Sequence, residues 1–227
     1  DELKSTFQKF VDNKNIPNLL LSGSAGVGKT TVAKAMLEEL QADYIVVNGS
    51  LHGNIDTLRT EIMNFATTVS FSEGRKYVIL DEADYLNAQS TQPALRGFIE
   101  EFSNNCRFIL TCNFKNRIIE PLHSRCGVYE FNTTKKQLAQ LAAQFMKRAT
   151  KILEDEGVSY DQMMVADLIM KHAPDWRRIL NELQRYSMVG IDNSDRTTLA
   201  GSYNDLFQYN RVNIFKHINL YICDLYQ

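Results

Sequence analysis

Gly23-Ser24-Ala25-Gly26-Val27-Gly28-Lys29-Thr30 follows an apolar run, Leu19-Leu20-Leu21, and opens the helical pattern Thr31-Val32-Ala33-Lys34-Ala35-Met36-Leu37. This is the G-x-x-x-x-G-K-[ST] phosphate loop in a strand–loop–helix context. Its chemistry requires these residue types. The glycines let the backbone curl so that successive N–H groups point inward at phosphate oxygens. The helix that follows adds the partial positive charge of its N-terminus. Lys29 is expected to reach the β- and γ-phosphates and the Thr30 hydroxyl to hold Mg²⁺, with Thr31 continuing the cradle into the helix. The loop specifies a nucleotide and leaves open what its energy is used for.

Working outward, strands and helices alternate. A helix is expected over 1–18, ending near Pro17, then a strand near Asn18–Leu21, then the loop and a helix to about Gln41. Asp43–Asn48 is a β-branched apolar run stopped by Gly49-Ser50. A helix from about Ile55 to Val69, a turn at Ser72-Glu73-Gly74 and a strand over Lys76–Glu82 follow. Residues 89–103 are expected to be helical, with Pro93 tolerated in the first turn. Arg107–Asn113 reads as a fourth strand and Val128–Phe131 as a fifth. Such alternation predicts an α/β class with a parallel sheet. After about Asn132 only helical patterns occur, the first on Leu138, Leu141, Phe145, Ala149 and Ile152. The expected organisation is a sheet domain over 1–132, a small helical domain over 133–190 and a partial C-terminal helical segment over 191–227.

Composition narrows the class. Hydrophobic residues make up 44% and charged residues 23%, which fits a globular chain. The net charge of −2 does not advertise nucleic acid, although a local basic surface remains compatible with it. The four cysteines form no C-x-x-C pair, which argues against a zinc ribbon and for free thiols. No run is long enough to span a membrane, and no signal-peptide pattern opens the chain. A start at Asp1 without methionine is what a fragment would show.

A nucleotide site also needs metal support and a base. Asp81 and Glu82 end an apolar strand, where ligands of open α/β sheets bind. Asp81 would support the metal, and Glu82 would polarise an attacking water. The run Asp81-Glu82-Ala83-Asp84 also spells the box of one helicase class, but those enzymes need two sheet domains and this chain has sequence for one. Asn113 ends the fourth strand, either orienting water or the γ-phosphate or serving as a turn residue. Arg125, in Ser124-Arg125-Cys126, and Arg177, after Pro174-Asp175, each read either as a functional cation or as a solvated charge.

Taken in order, these pieces resemble the AAA+ ATPases and, within them, the clamp-loader ATPase subunits. Phe108–Asn113 and Ile118–Cys126 are similar to replication factor C small subunits. Asn64-Phe65-Ala66, Ser70-Phe71 and the Val47–Ser50 turn look closer to the large subunit of T-even-type phage clamp loaders. The resemblance implies a P-loop sheet domain with a helical lid, hydrolysing ATP with Mg²⁺. It puts Lys29 and Thr30 on Walker A, Asp81 and Glu82 on Walker B and Asn113 on sensor 1. Arg125 falls on an arginine finger reaching a neighbour's nucleotide, and Arg177 on sensor 2. The helix over 89–103, with Arg96, matches a central helix facing DNA. Implied partners are a sliding clamp, primer–template DNA and other loader subunits, in the cytoplasm (of a bacterial host, for a phage protein). Alternatives are another replication ATPase, such as a helicase loader or branch-migration motor, or a module that binds ATP without hydrolysing it.

Overall fold

The computed structural model describes residues 2–51, 55–68 and 74–189. These fall into two compact units that divide between Asn132 and Thr133. The first unit runs α1 (Glu2–Asp12), β1 (Leu19–Ser22), α2 (Lys29–Glu39), β2 (Tyr44–Asn48), α3 (Ile55–Thr67) and β3 (Lys76–Asp81). It continues through a 3-10 turn (Ala83–Tyr85), α4 (Thr91–Glu101), β4 (Cys106–Cys112), a second 3-10 turn (Lys115–Arg117), α5 (Glu120–His123) and β5 (Gly127–Glu130). The expectations for 191–227, and for Val69 through Glu73, lie outside the described residues.

All pairings among the five strands are parallel, in the order β2-β3-β4-β1-β5. Leu19 of β1 is level with Ile109 of β4 on one side and Gly127 of β5 on the other. Both faces are covered, as the apolar runs require. Leu20, Val78, Leu80, Phe108 and Leu110 form one core with Leu58 and Ile62 of α3 and Leu95, Phe98 and Ile99 of α4. Leu19, Leu21, Ile79 and Ile109 alternate with them along the strands and are fully buried as well.

Helix ends differ from the sequence expectation for stated reasons. The helix α1 stops at Asp12, not near Pro17, because Lys14 takes a left-handed conformation (φ 50°). Lys14 N then donates to Val11 O and Asn15 N to Phe10 O, a Schellman closure. Gln41 (φ 52°) closes α2 at Glu39 in the same way, with Ala42 N donating to Leu37 O. Lysine and glutamine carry no stop signal, so the sequence alone overran both ends. The helix α4 starts at Thr91, two residues later than expected, because Asn87 Oδ1 takes the Gln89 and Ser90 amides at 2.8 and 3.1 Å.

Among the described residues the second unit contains α6 (Lys135–Asp155), α7 (Gln162–His172) and α8 (Trp176–Val189). Thr134 and Gln137 form a reciprocal capping box at the start of α6. Asp161 Oδ1 caps α7 by accepting from Met163 N at 2.9 Å. The core gathers Phe145, Ile152, Leu153, Val165, Ile169, Ile179 and Leu180 around Trp176, whose ring stacks on Phe145 at 4.9 Å.

Candidate functional site

The strand β1 lies between β4 and β5, yet its chain leaves through α2 to β2 at the far edge. That reversal opens a crevice at the carboxyl end of β1, where open parallel sheets bind ligands. The loop Gly23–Gly28 fills this position. Gly28 precedes α2 with φ 99°, a left-handed conformation that a side chain would strain. No side chain caps α2, and no acid occupies its first turn. Its N-terminal dipole is therefore left to an anion. Within the loop Ser24 and Ala25 are exposed and Val27 is buried.

Lys29 is 8% exposed and is drawn into the loop. Its ammonium donates to Gly23 O and Ser24 O, both at 2.8 Å, and to Asn113 Oδ1 at 2.9 Å. Asn113, just past β4, thus meets the loop through its side chain. Thr30 Oγ1 donates to Asp81 Oδ1 at 2.6 Å, so the residues expected to support a metal are side by side. Thr31 follows in the first turn of α2, half-buried. Glu82 comes next after Asp81 and is held in a left-handed conformation (φ 55°, ψ 43°), uncommon for a residue with a side chain. A Cβ on Gly49 would lie 2.7 Å from Glu82 O. Only glycine at that turn lets β2 end against the Glu82 peptide. Asn113, Phe114 and Lys115 also line a cleft of about 460 Å³ with Gly23, Ser24 and Ala25.

The contacts of three residues, Thr111, Asp84 and Glu100, escaped the sequence reading. Thr111 Oγ1 donates to Asp81 Oδ1 at 2.5 Å and accepts from Glu82 N at 3.2 Å, tying β4 to both strand-end acids. Its signal was available: a polar residue in an apolar strand, two residues before Asn113 and on the same face. Asp84 Oδ2 accepts from Asn113 N and Phe114 N, each at 3.2 Å. Nothing local marks that acid, because its partners are some thirty residues on. Glu100 of α4 pairs with Arg125.

Arg125 is the part of the expected set that lies apart from the loop contacts. Its Nε donates to Glu100 Oε1 at 2.9 Å and one terminal nitrogen to Pro121 O at 2.8 Å, with a second contact to Glu100 and one to Ser124 Oγ. That hydrogen bond and charge hold the Glu100 carboxyl below its ordinary range. Burial pushes the neighbouring Cys126 thiol up to about 12, and does the same to Cys112 beside Asn113. Thiols so shifted stay protonated at neutral pH and act as packing groups. Arg177 is exposed in the first turn of α8, in the second unit. Arg96 is exposed on α4.

Among the described residues no group of three or more His, Cys, Asp or Glu side chains is arranged to hold a metal. No described helix is long and apolar enough to cross a membrane.

The chain is similar to known proteins over most of its length. It is 39% identical over 191 residues to the sliding-clamp-loader large subunit of Enterobacteria phage T4, covering 83% of this chain and 60% of that one. It is 38% identical over 196 residues to the replication factor C small subunit of Archaeoglobus fulgidus, covering 84% of this chain and 59% of the relative. The chain therefore spans about 60% of the length of these curated relatives. The Holliday junction branch migration motor RuvB of Thermotoga maritima shares the fold, with a TM-score of 0.62 at 20% identity, over 83% of this chain and 60% of that one. The model of the ATPase family associated with various cellular activities matches residues 19–134, from β1 through the phosphate loop and the strand-end acids to Arg125 and β5. The chain belongs to that family, the AAA ATPases.

Proposed function

We propose that this chain is the ATP-hydrolysing motor portion of a sliding-clamp-loader subunit, which opens a clamp and places it on primer–template DNA alongside other loader subunits, in the cytoplasm. The observation that carries the reading is the convergence of Lys29, Thr30, Asp81 and Asn113 on one loop, joined by their own hydrogen bonds. The relatives named as clamp-loader and replication factor C subunits support the choice of machine.

In this reading ATP is the substrate. Gly23 through Gly28 and the α2 N-terminus cradle its phosphates through backbone amides, and Lys29 neutralises the terminal ones. The adjacent Thr30 hydroxyl and Asp81 carboxylate would hold Mg²⁺, a hard cation bound through one or two protein oxygens in such sites. The chemistry such a metal would supply is positive charge against the nucleotide's phosphates. Glu82 accepts the proton of the attacking water. Asn113 donates from the side to the γ-phosphate or the water. Arg125 supplies its charge to the nucleotide of a neighbouring subunit, and Arg177 supplies one from the helical unit.

Calorimetry with ATP tests the site. Lys29→Ala is expected to abolish binding while the fold survives, because the ammonium is the loop's own side-chain cation. Unchanged affinity in a folded variant would overturn the phosphate-loop assignment. Hydrolysis that rises with a clamp and primer–template DNA tests the machine, and hydrolysis indifferent to both would point to another replication ATPase.

A further inference from the structure

Asn113 is attached to the rest of the site in two ways that differ in kind. Its side-chain Oδ1 accepts from Lys29 Nζ at 2.9 Å. Its backbone N–H donates to Asp84 Oδ2 at 3.2 Å, and the next amide, Phe114 N, donates to the same oxygen at 3.2 Å. Asp84 sits in the 3-10 turn directly after Glu82 and is only 5% exposed. Its other oxygen, Oδ1, is buried without a hydrogen-bond partner. A buried carboxylate with one unsatisfied oxygen is unfavourable, whereas a small apolar residue would carry no such penalty. The acid is therefore kept for its two amide bonds.

Phosphate affects the two attachments unequally. An ammonium has three donors, and Lys29 donates to Gly23 O, Ser24 O and Asn113 Oδ1. A phosphate oxygen that engages Lys29 displaces at least one of these acceptors. The Asp84 bonds go to main-chain amides of the β4 end, and no atom of the phosphate loop takes part in them. We propose that Asp84 is a positioning residue that fixes Asn113 through its backbone, so that the Asn113 side chain stays directed at the phosphate site once Lys29 has turned to the nucleotide. This rests on the reading of the loop as an ATP site. Asp84 also makes the turn after Glu82 and the end of β4 one rigid piece, so the base and the asparagine keep their relative position.

Two measurements test it. The first needs no nucleotide: residue-resolved amide hydrogen exchange of Asn113 and Phe114. Asp84→Ala is expected to speed exchange of these two amides by roughly tenfold or more, while Asp84→Asn, which keeps an acceptor oxygen, restores most of the protection. The second is a double-variant cycle on ATP turnover, under conditions where the wild-type chain hydrolyses ATP. Asp84→Ala and Asn113→Ala should each slow turnover, on the order of tenfold, with ATP affinity nearly unchanged, and the double variant should be scarcely slower than either alone. Should Asp84→Ala not fold, the same cycle is run with Asp84→Leu, which keeps the size of the side chain and removes the acceptor oxygens. Unchanged exchange at both amides, or losses that multiply in the double variant, would overturn the proposal. A wild-type chain that binds no ATP would overturn the site reading and the proposal with it; the exchange measurement separates that outcome from a failure of the Asp84 contacts.

Discussion

Lys29 and Arg125 are both cations bonded to backbone carbonyls, and they differ in what else holds them. Lys29 is almost fully buried, and its ammonium donates to two carbonyls of its own loop and to the Asn113 side chain just past β4. Arg125 is partly exposed and faces a carboxylate, Glu100, that is itself more than half exposed. A lysine buried against its own loop is placed to meet an anion that enters that loop. An arginine on a solvated carboxylate has its charge balanced, and water and salt weaken that pair readily. The first arrangement suits a residue acting within its own fold. The second suits one whose target arrives from outside, as the proposed neighbouring nucleotide would.

The largest expected effect is the sharpest test of this contrast. Arg125→Ala should leave the ATP affinity of the isolated chain intact, yet cut turnover in the full assembly by roughly a thousandfold or more. Mixing subunits that lack Lys29 with subunits that lack Arg125 should recover part of the activity at the boundaries where each completes the other's site. If both variants assemble and mixing restores nothing, Arg125 does not act on a neighbour and the contrast collapses.

Nearly as large is the protection of the two cysteines that flank the compared regions, Cys112 beside Asn113 and Cys126 beside Arg125. A thiol raised from 9.0 to about 12 carries roughly a thousandfold less thiolate at neutral pH. Alkylation of both, followed by peptide mass spectrometry, should be slower than for the denatured chain by about that factor. Free-thiol rates at Cys126 with slow labelling at Cys112 would mean that the Arg125 corner opens while the strand-end cluster stays closed.

Glu82→Gln probes the strand-end cluster alone. It keeps shape and removes the base, so ATP should bind normally and turn over about a hundredfold or more slowly. Near-normal turnover would move the base elsewhere.

The smallest effect concerns the countercharge. Glu100→Gln should raise assembly-dependent turnover a few-fold at low ionic strength, and the gain should vanish in high salt. Acidification acts in the same sense. The carboxyl is held below its ordinary range, so the pair persists at neutral pH and is lost only as pH falls through that lowered value. A Glu100→Gln variant slower than wild type at low salt would show that Glu100 presents Arg125 instead of restraining it.

The phosphate loop, the strand-end acids, Asn113 and the parallel α/β class were legible because their signals are contiguous: a loop of fixed spacing, apolar runs of strand length, and polar residues where those runs stop. Chain order alone conveyed as much as local chemistry can. Register decided the rest. Thr111 reaches Asp81 and Glu82, and Asp84 reaches the Asn113 backbone, because β3 and β4 pair in parallel with Leu80 level with Leu110. Gly49 matters because β2 ends against the Glu82 carbonyl. The Arg125 pairing with Glu100 depends on where α4 ends relative to α5. Even the stops of α1 and α2 lay beyond local reading, because Lys14 and Gln41 adopt a conformation their chemistry does not favour and the surrounding backbone holds them in it. Sequence determines which groups a site can contain, since those are covalent facts of the chain. Which of them touch is set by hydrogen bonds between strands far apart in sequence, and only the folded sheet brings those strands into line.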